Sequence, residues 1–423
     1  MTPNPLRHLL LTGFLAVCVH FCSHAQDTLR YGLPDAEKQF VTSNLQLLAE
    51  RYNIDISRAQ VIQASLYANP NISFSGNLYN PDQKKYLDIS NKTGEWGWNV
   101  QQLIILAGKR NKQVKLAQGD TRQAEYNFLD LLRTLRYTLR SDFYNIYYTE
   151  NSINAYKTQV SSLERLNAAY QDLLAKGAVT LKDAVRIKSL LYSLEAEQTS
   201  LQNQLNDLQA EVQLLLHNDR AYLVPQVDSA SIPRSVADFN YQNLLDSAYT
   251  NRYDLKFAEN AITQNRLNYS LQRALRVPDI TLGAQFDKRG SFVNNASFLS
   301  AAIDLPFFNR NQGNIKAAKI SVDQSRAALD LQRFTVENDV QKAYTKALNT
   351  EKMLRSLDPA FRDQFELLLK GVTENFQKHN ISLIEFTDFY ESYKDNILQL
   401  NQLGYERMQA LEDLNFAVGK PLY

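Results

Sequence analysis

"NPNISFSGNLYN" occupies residues 69–80, and "VPDITLGAQFDK" occupies residues 277–288. In the first, Ile72, Phe74 and Leu78 alternate with Ser73, Ser75 and Asn77. In the second, Ile280, Leu282, Ala284 and Phe286 alternate with Asp279, Thr281, Gln285 and Asp287. Successive side chains of a strand point to opposite faces, so each stretch predicts a strand that is apolar on one side. A further strand follows each of them. Over 95–104, Trp96, Trp98, Val100 and Ile104 share a face that Gln102 interrupts; over 297–305, Leu299, Ala301, Ile303 and Leu305 do so. Alternation of this length suits a transmembrane barrel strand with lipid on one side and water on the other. A half-buried sheet in a soluble protein gives the same pattern. Trp96 and Trp98 are accordingly candidates either for a membrane-interface girdle or for sheet packing.

The echo extends far beyond the strands. "LAGKRNKQVKLA" (106–117) returns as "FFNRNQGNIKAA" (307–318), and "AKGAVTLKDAV" (175–185) returns as "QKHNISLIEFT" (377–387). The period is roughly 200 residues, much longer than a solenoid repeat. Each copy reads helix, strand, strand, very long helix, break, long helix. The fold class is therefore mainly α with a small β part. From Lys109 to Leu174 there is no proline, and Gly119 is the sole interior glycine. Such a helix would run to about 100 Å. After the break, Ile187, Leu191, Leu194, Gln198, Leu201, Leu205, Leu208, Val212 and Leu215 follow a 4-3-4-3 spacing. That seam requires a coiled-coil partner. A weaker seam runs from Tyr390 to Val418. The predicted division is a signal segment (1–25), a first repeat (26–218), a linker (219–240) and a second repeat (241–423). The long helices are expected over 109–174, 181–217, 312–377 and 381–418, and the strands over 70–79, 95–104, 279–287 and 297–305.

"MTPNPLRHLLLTGFLAVCVHFCSHAQDT" reads as an export signal: Arg7, an apolar run from Leu9 to Phe21, and small residues at Ser23 and Ala25. The expected mature start is Gln26. Acylation at Cys18 or Cys22 is the alternative, against which stand the bulky Val17 and Phe21 before them. Loss of this segment removes both cysteines and leaves His217 and His379 as the histidines. No disulfide framework or Cys/His metal site is then available. With Arg7 removed, the 46 basic residues fall level with the 45 acids. That balance argues against a nucleic-acid partner. No later segment holds about 20 consecutive apolar residues, so a membrane would be entered as β-strands. There is no glycine-rich phosphate loop, Gly-x-Ser-x-Gly or paired-histidine motif, hence no expectation of an enzyme or a cofactor. His379 reads as a helix cap or a surface residue.

In this frame the chain resembles the TolC-type outer-membrane efflux proteins. The likeness rests on "NLQLLAERYNIDISRAQVIQASLYANPNIS" (44–73), "LLDSAYTNRYDLKFAENAI" (244–262), "LAGKRNKQ" and "IDLPFFNRNQGN", in order. Tyr253 stands where the family usually has proline. The opening helix most resembles the heavy-metal (cobalt-zinc-cadmium) branch. The resemblance implies a homotrimer, a twelve-stranded β-barrel continued by a periplasmic α-helical barrel, and an exit duct working with a periplasmic adaptor (a membrane fusion protein) and an inner-membrane pump. Trimerisation agrees with the physics: four strands cannot close a barrel, and an open edge cannot sit in lipid. The resemblance also implies that 26–45, 219–240 and the C-terminus form a belt around the tube. A periplasmic coiled-coil scaffold without a pore remains the alternative class, and a protein-secretion duct the alternative within the channel class.

The resemblance also assigns the breaks. "HNISLIEFTD" (379–388) matches the family's periplasmic tip, with Glu385 and Asp388 on its two acidic positions and His379 replacing its glycine. The first-repeat tip keeps Gly177 and sets Asp183 opposite Glu385. Glu385 and Asp388 are three residues apart and share a helix face. Repeated threefold they would ring a constriction with carboxylates, favour cations, share protons and resist full ionisation. Adaptor docking is expected at Gly177, Ala178, Thr180 and Leu181 and at Asn380, Ser382 and Leu383.

Overall fold

The computed structural model describes residues 27–218, 221–228, 235–290, 293–358, 360–378 and 380–422. The predicted signal with Cys18 and Cys22, the expected start at Gln26, and His379 lie outside the described residues. The chain opens with strand β1 (Asp27–Gly32) and helices α1 (Leu33–Ser43) and α2 (Leu45–Ser65). Strand β2 (Asn71–Gly76), a small hairpin of β3 (Tyr79–Asn80) and β4 (Lys85–Tyr86), and β5 (Trp96–Ile104) follow. They lead into α3 (Lys109–Ala175) and α4 (Leu181–Leu216). Then come β6 (Ala221–Gln226), α5 (Tyr241–Asn251), α6 (Tyr253–Leu275), β7 (Ile280–Asp287) and β8 (Ala296–Ile303). Helices α7 (Gln312–Ser356), α8 (Phe361–Gln377) and α9 (Leu383–Val418) complete it.

Two features depart from the sequence reading. The helix expected over 312–377 is two helices, α7 and α8. Asp358 precedes Pro359, and a residue before proline is pushed out of the α region. The Asp358 side chain then accepts the Ala360 N–H at 2.9 Å, and its carbonyl accepts the Phe361 N–H at 3.0 Å, which starts α8. The stretch expected to be a linker, 219–240, contains β6. This strand pairs in parallel with β1, from Asp27 opposite Ala221 to Gly32 opposite Gln226.

The chain forms two compact units, with α3, α7 and α9 contributing to both. The first comprises Met1–Asn44, Arg136–Arg234 and Thr350–Glu412; the second comprises Leu45–Leu135, Ser235–Asn349 and Asp413–Tyr423.

The second unit holds a four-stranded antiparallel sheet ordered β2-β5-β7-β8. Phe74 lies opposite Trp98, Trp98 opposite Phe286, Ala284 opposite Leu299 and Ile280 opposite Ile303. Residues directly opposite share a face, so the alternation of all four strands adds up to one apolar face. Ser73, Asn99, Gln101, Thr281 and Ser300 fall on the other. Gln102, a polar residue on the apolar face, turns its amide to the Ala68 and Leu103 carbonyls at 2.8 and 3.0 Å. Among the described residues nothing covers the apolar face: Phe74 is 67% and Leu299 92% exposed. Where the sheet passes into α3, buried Lys109 pairs with Asp279 at 2.7 Å, and Asp279 also accepts the Leu106 N–H at 2.8 Å.

The end of α9 in this unit is closed by arginines. Arg133 donates to the Phe416 carbonyl at 2.8 Å and Arg252 to the Ala417 carbonyl at 3.5 Å. Buried Arg252 also grips Asp254 at 2.5 Å and Asp339 at 2.8 Å. Burial opposes ionisation of Asp254, but the Arg252 and Arg133 guanidiniums outweigh it and hold the carboxyl below its ordinary value.

In the first unit, the ring of Tyr170 stacks on Phe376 at 5.7 Å, Phe376 on Phe386 at 4.3 Å, and Phe386 contacts Tyr390 at 5.6 Å. Leu163, Ile187 and Leu194 fill the same core, which joins α3, α4, α8 and α9. Further along α3, Arg140 bridges Glu37 at 2.6 Å and buried Glu412 at 2.9 Å. Burial alone would lower the Arg140 pKa; the two carboxylates outweigh it and raise the value. Gly404 admits the Tyr148 ring, which a Cβ there would meet at 2.5 Å.

Arg252→Ala should cost about 3 kcal/mol, because it leaves Asp339 without its cation, Asp254 with Arg133 as its cation and the Ala417 carbonyl without its donor. Arg252→Lys should recover only part, since an ammonium lacks the planar fork. The measurement is the apparent unfolding midpoint of the detergent-solubilised protein. Gly404→Ala should lower that midpoint through an overpacking cost of about 1–3 kcal/mol, and Tyr148→Leu should relieve it.

Candidate functional site

Both breaks in the first unit are built from the same two devices. Helix α3 stops because Gly177 adopts φ +71°, the left-handed conformation that costs glycine least. The Gly177 N–H then reaches the Leu174 carbonyl at 3.0 Å, and the Ala178 N–H reaches Leu173 at 2.9 Å. These two bonds are those of a Schellman closure. At the second break the Asn380 N–H reaches the Asn375 carbonyl at 2.9 Å, which spans the same five residues.

Each following helix opens with a side-chain cap. The Asp183 N–H donates to the Thr180 hydroxyl at 3.2 Å, and that hydroxyl donates to the Asp183 carboxylate at 2.7 Å. The Glu385 N–H donates to the Ser382 hydroxyl at 3.2 Å, while the Ser382 N–H donates to the Glu385 carboxylate at 2.8 Å. The second arrangement is a reciprocal capping box. "TLKD" and "SLIE" carry its sequence signature, which the reading of these acids as pore residues passed over. Asp183 and Glu385 thus hold equivalent places in the two repeats, each tied to its own helix start.

The electrostatics follow. The Ser382 N–H and hydroxyl hold the exposed Glu385 carboxyl below its ordinary value. Within one chain its bonding partners favour the charged form. Asp388, one turn on, is exposed and makes no such bond among the described residues. Glu385 and Asp388 therefore share a spacing but not a role within the chain.

The exposed positions at the breaks are Gly177, Ala178, Thr180 and Leu181 on one side and Asn380 and Ser382 on the other. Leu383 turns inward, and with Val179 and Ile381 it packs on the aromatic core. Both breaks are thereby fastened to one cluster. Leu181 and Ile384 leave apolar side chains in the open, 66% and 59% exposed.

Sequence reasoning missed a polar tie further up the helices. Tyr156 on α3 donates its hydroxyl to Glu197 on α4 at 2.6 Å, and Lys394 on α9 binds the same carboxylate at 3.1 Å. Burial opposes ionisation of Glu197, but Tyr156 and Lys394 outweigh it and lower its pKa. No short motif announces three residues so far apart in sequence.

In the second unit, Trp98 stacks on Phe286 at 6.3 Å, and half-buried Trp96 sits between Phe74 at 6.1 Å and Phe286 at 5.4 Å. The two tryptophans form one aromatic group at the end of the sheet where β2 and β7 finish. Among the described residues no group of three or more His, Cys, Asp or Glu side chains is arranged to hold a metal ion, and no helix is long and apolar enough to cross a membrane.

The sequence pattern of the family described as "Outer membrane efflux protein" matches residues 244–420. Outer membrane protein TolC of Salmonella enteritidis is 30% identical over 205 residues, 44% of this chain and 40% of that protein. The match thus spans about two fifths of the length of that relative. The cobalt-zinc-cadmium resistance protein CzcC of Cupriavidus metallidurans is 19% identical over 382 residues, 89% of this chain and 87% of that one. The crystal structure of the Campylobacter jejuni CmeC outer membrane channel shares the fold with a TM-score of 0.73 at 15% identity, over 92% of this chain and 85% of that chain. Over residues 244–420 the chain is thus similar in sequence to the outer membrane efflux proteins, and over 92% of its length it shares the fold of the CmeC channel.

Proposed function

We propose that the protein is the outer-membrane exit duct of an efflux pump, conducting small molecules or metal ions passively and without catalysis. The observation that carries this reading is the four-stranded sheet. It has one exposed apolar face, and among the described residues nothing pairs with the outer edges of β2 and β8. In lipid, open edges are unsatisfied. Three copies, edge to edge, supply twelve strands and close them, with the apolar face toward lipid and Trp96 and Trp98 near its boundary. A scaffold without a pore would leave that face in water. Export of a mature chain from Gln26 completes the reading, and the β1–β6 pair with α1 would belong to a belt around the helical part.

The helix breaks are then the inner end of the duct. Ala178, Thr180, Leu181, Asn380 and Ser382 offer an exposed surface to the hairpin tips of a periplasmic adaptor, which links the duct to an inner-membrane pump. Gly177 shapes the first tip and Leu383 seats the second. The acids ring the constriction, with Asp388 free to face the pore and with Asp183 and Glu385 also committed to caps. The likeness to a cobalt-zinc-cadmium resistance protein supports metal ions as cargo, selected by the pump.

Cell fractionation tests the assembly: the protein should stay in outer membranes until detergent is added and run as a heat-modifiable trimer. Release into the soluble fraction without detergent would reject the duct in favour of the scaffold.

Single-channel recording tests the tip. Asp388→Asn should lower cation selectivity. Glu385→Gln removes a second charge per chain while glutamine still accepts the Ser382 N–H. Ser382→Ala should leave selectivity unchanged and lower stability by about 1 kcal/mol through loss of the cap. Selectivity that survives Asp388→Asn combined with Glu385→Gln would place the constriction elsewhere.

A further inference from the structure

Asp142 lies on α3 in the first unit and is 7% exposed. Its Oδ2 atom is sealed from solvent and has no hydrogen-bond partner among the described residues. Buried polar groups are almost always satisfied, so an orphan carboxylate oxygen is unexpected. On its own helix, Arg140 is committed to Glu37 of α1 and Glu412 of α9. Tyr144 shares the field of Glu412, Arg140, Tyr148 and Glu37 rather than that of Asp142. The charged group that acts on Asp142 is Glu211 of α4, a second carboxylate. Like charges beside a low-dielectric site favour a neutral acid.

We propose that Asp142, with Glu211, forms a proton-binding site that couples the packing of α3 on α4 to pH. Protonated, Asp142 is a neutral acid that this interior tolerates. Ionised, it is an unpaired buried charge next to another negative charge, and the interface weakens. Burial first, and Glu211 second, push the Asp142 carboxyl up to about 7 from 3.8. A carboxyl whose folded pKa lies above its unfolded value destabilises the fold only when ionised. The penalty is thus absent below about pH 4, grows with rising pH and is complete above about pH 7. The pair is a joint that loosens as the medium turns from acid to alkaline, within the range an exported protein meets.

The experiment uses the full-length, detergent-solubilised protein. Asp142→Asn keeps the shape and removes the titration. Its apparent melting temperature should match wild type at pH 4 and exceed it at pH 8.5, with the difference developing up to about pH 7. The ceiling is about a thousandfold in the unfolding equilibrium, tenfold for each pH unit between the two pKa values. Glu211→Gln should move the midpoint of the wild-type pH profile toward acid. Infrared difference spectra between pH 5 and pH 8.5 should show a protonated-carboxyl band that Asp142→Asn removes, a readout that stands even if a variant unfolds too early for melting curves. An Asp142→Asn protein equally or less stable than wild type at pH 8.5, or a wild-type spectrum without that band, would overturn the proposal.

Discussion

Long helices satisfy their own backbone except at their ends, where four N–H and four C=O groups are left over at each terminus. This architecture follows from how those ends are closed. The carbonyls of Leu215 and Leu216, at the end of α4, accept from Asn44 at 2.9 Å, Ser43 at 2.8 Å and Gln39 at 3.2 Å. The same bonds dock α1. The last carbonyls of α9 take Arg133 and Arg252, and those guanidiniums in turn hold Asp130, Asp254 and Asp339. Closing a helix end is therefore also what fastens one element to the next.

At the breaks this constraint bears on function. A Schellman turn followed within a few residues by a hydroxyl cap reverses the chain with few backbone groups left to solvent. The turn is short, its outer surface is small-residue and exposed, and its inner surface packs on Tyr170, Phe376 and Phe386. An acid at the third helical position is part of this solution, so its presence alone says nothing of a pore. Asp388, one turn beyond, has no such duty. That difference separates an acid committed to its helix start from one the fold leaves uncommitted.

The sheet obeys the complementary constraint. Strands satisfy one another only sideways, and four in a row leave two open edges. Its one-sided apolar face leaves a second surface exposed in the single copy. Lys109 and Asp279 pin the sheet to α3 with an ion pair whose lysine is buried, so the β part and the long helix that leaves it are tied at their junction.

The sequence by itself determined the periodic part of this protein. Alternation marked the four strands of the sheet, and the register confirms that their apolar residues share a face, because side-chain direction in a strand is set by parity alone. The scarcity of proline and glycine marked α3, and "DP" at 358–359 held the signal for the split between α7 and α8. Other features were decided only by tertiary structure. β1 and β6 are six residues each and pair across almost the whole first repeat. Arg140 meets Glu37 and Glu412, Lys394 and Tyr156 both meet Glu197, and Asp142 loses its solvent. Such contacts join residues up to 272 positions apart, a distance over which local pattern carries no information. Whether a given charge is a cap, a bridge or an orphan depends on what the folded chain brings beside it.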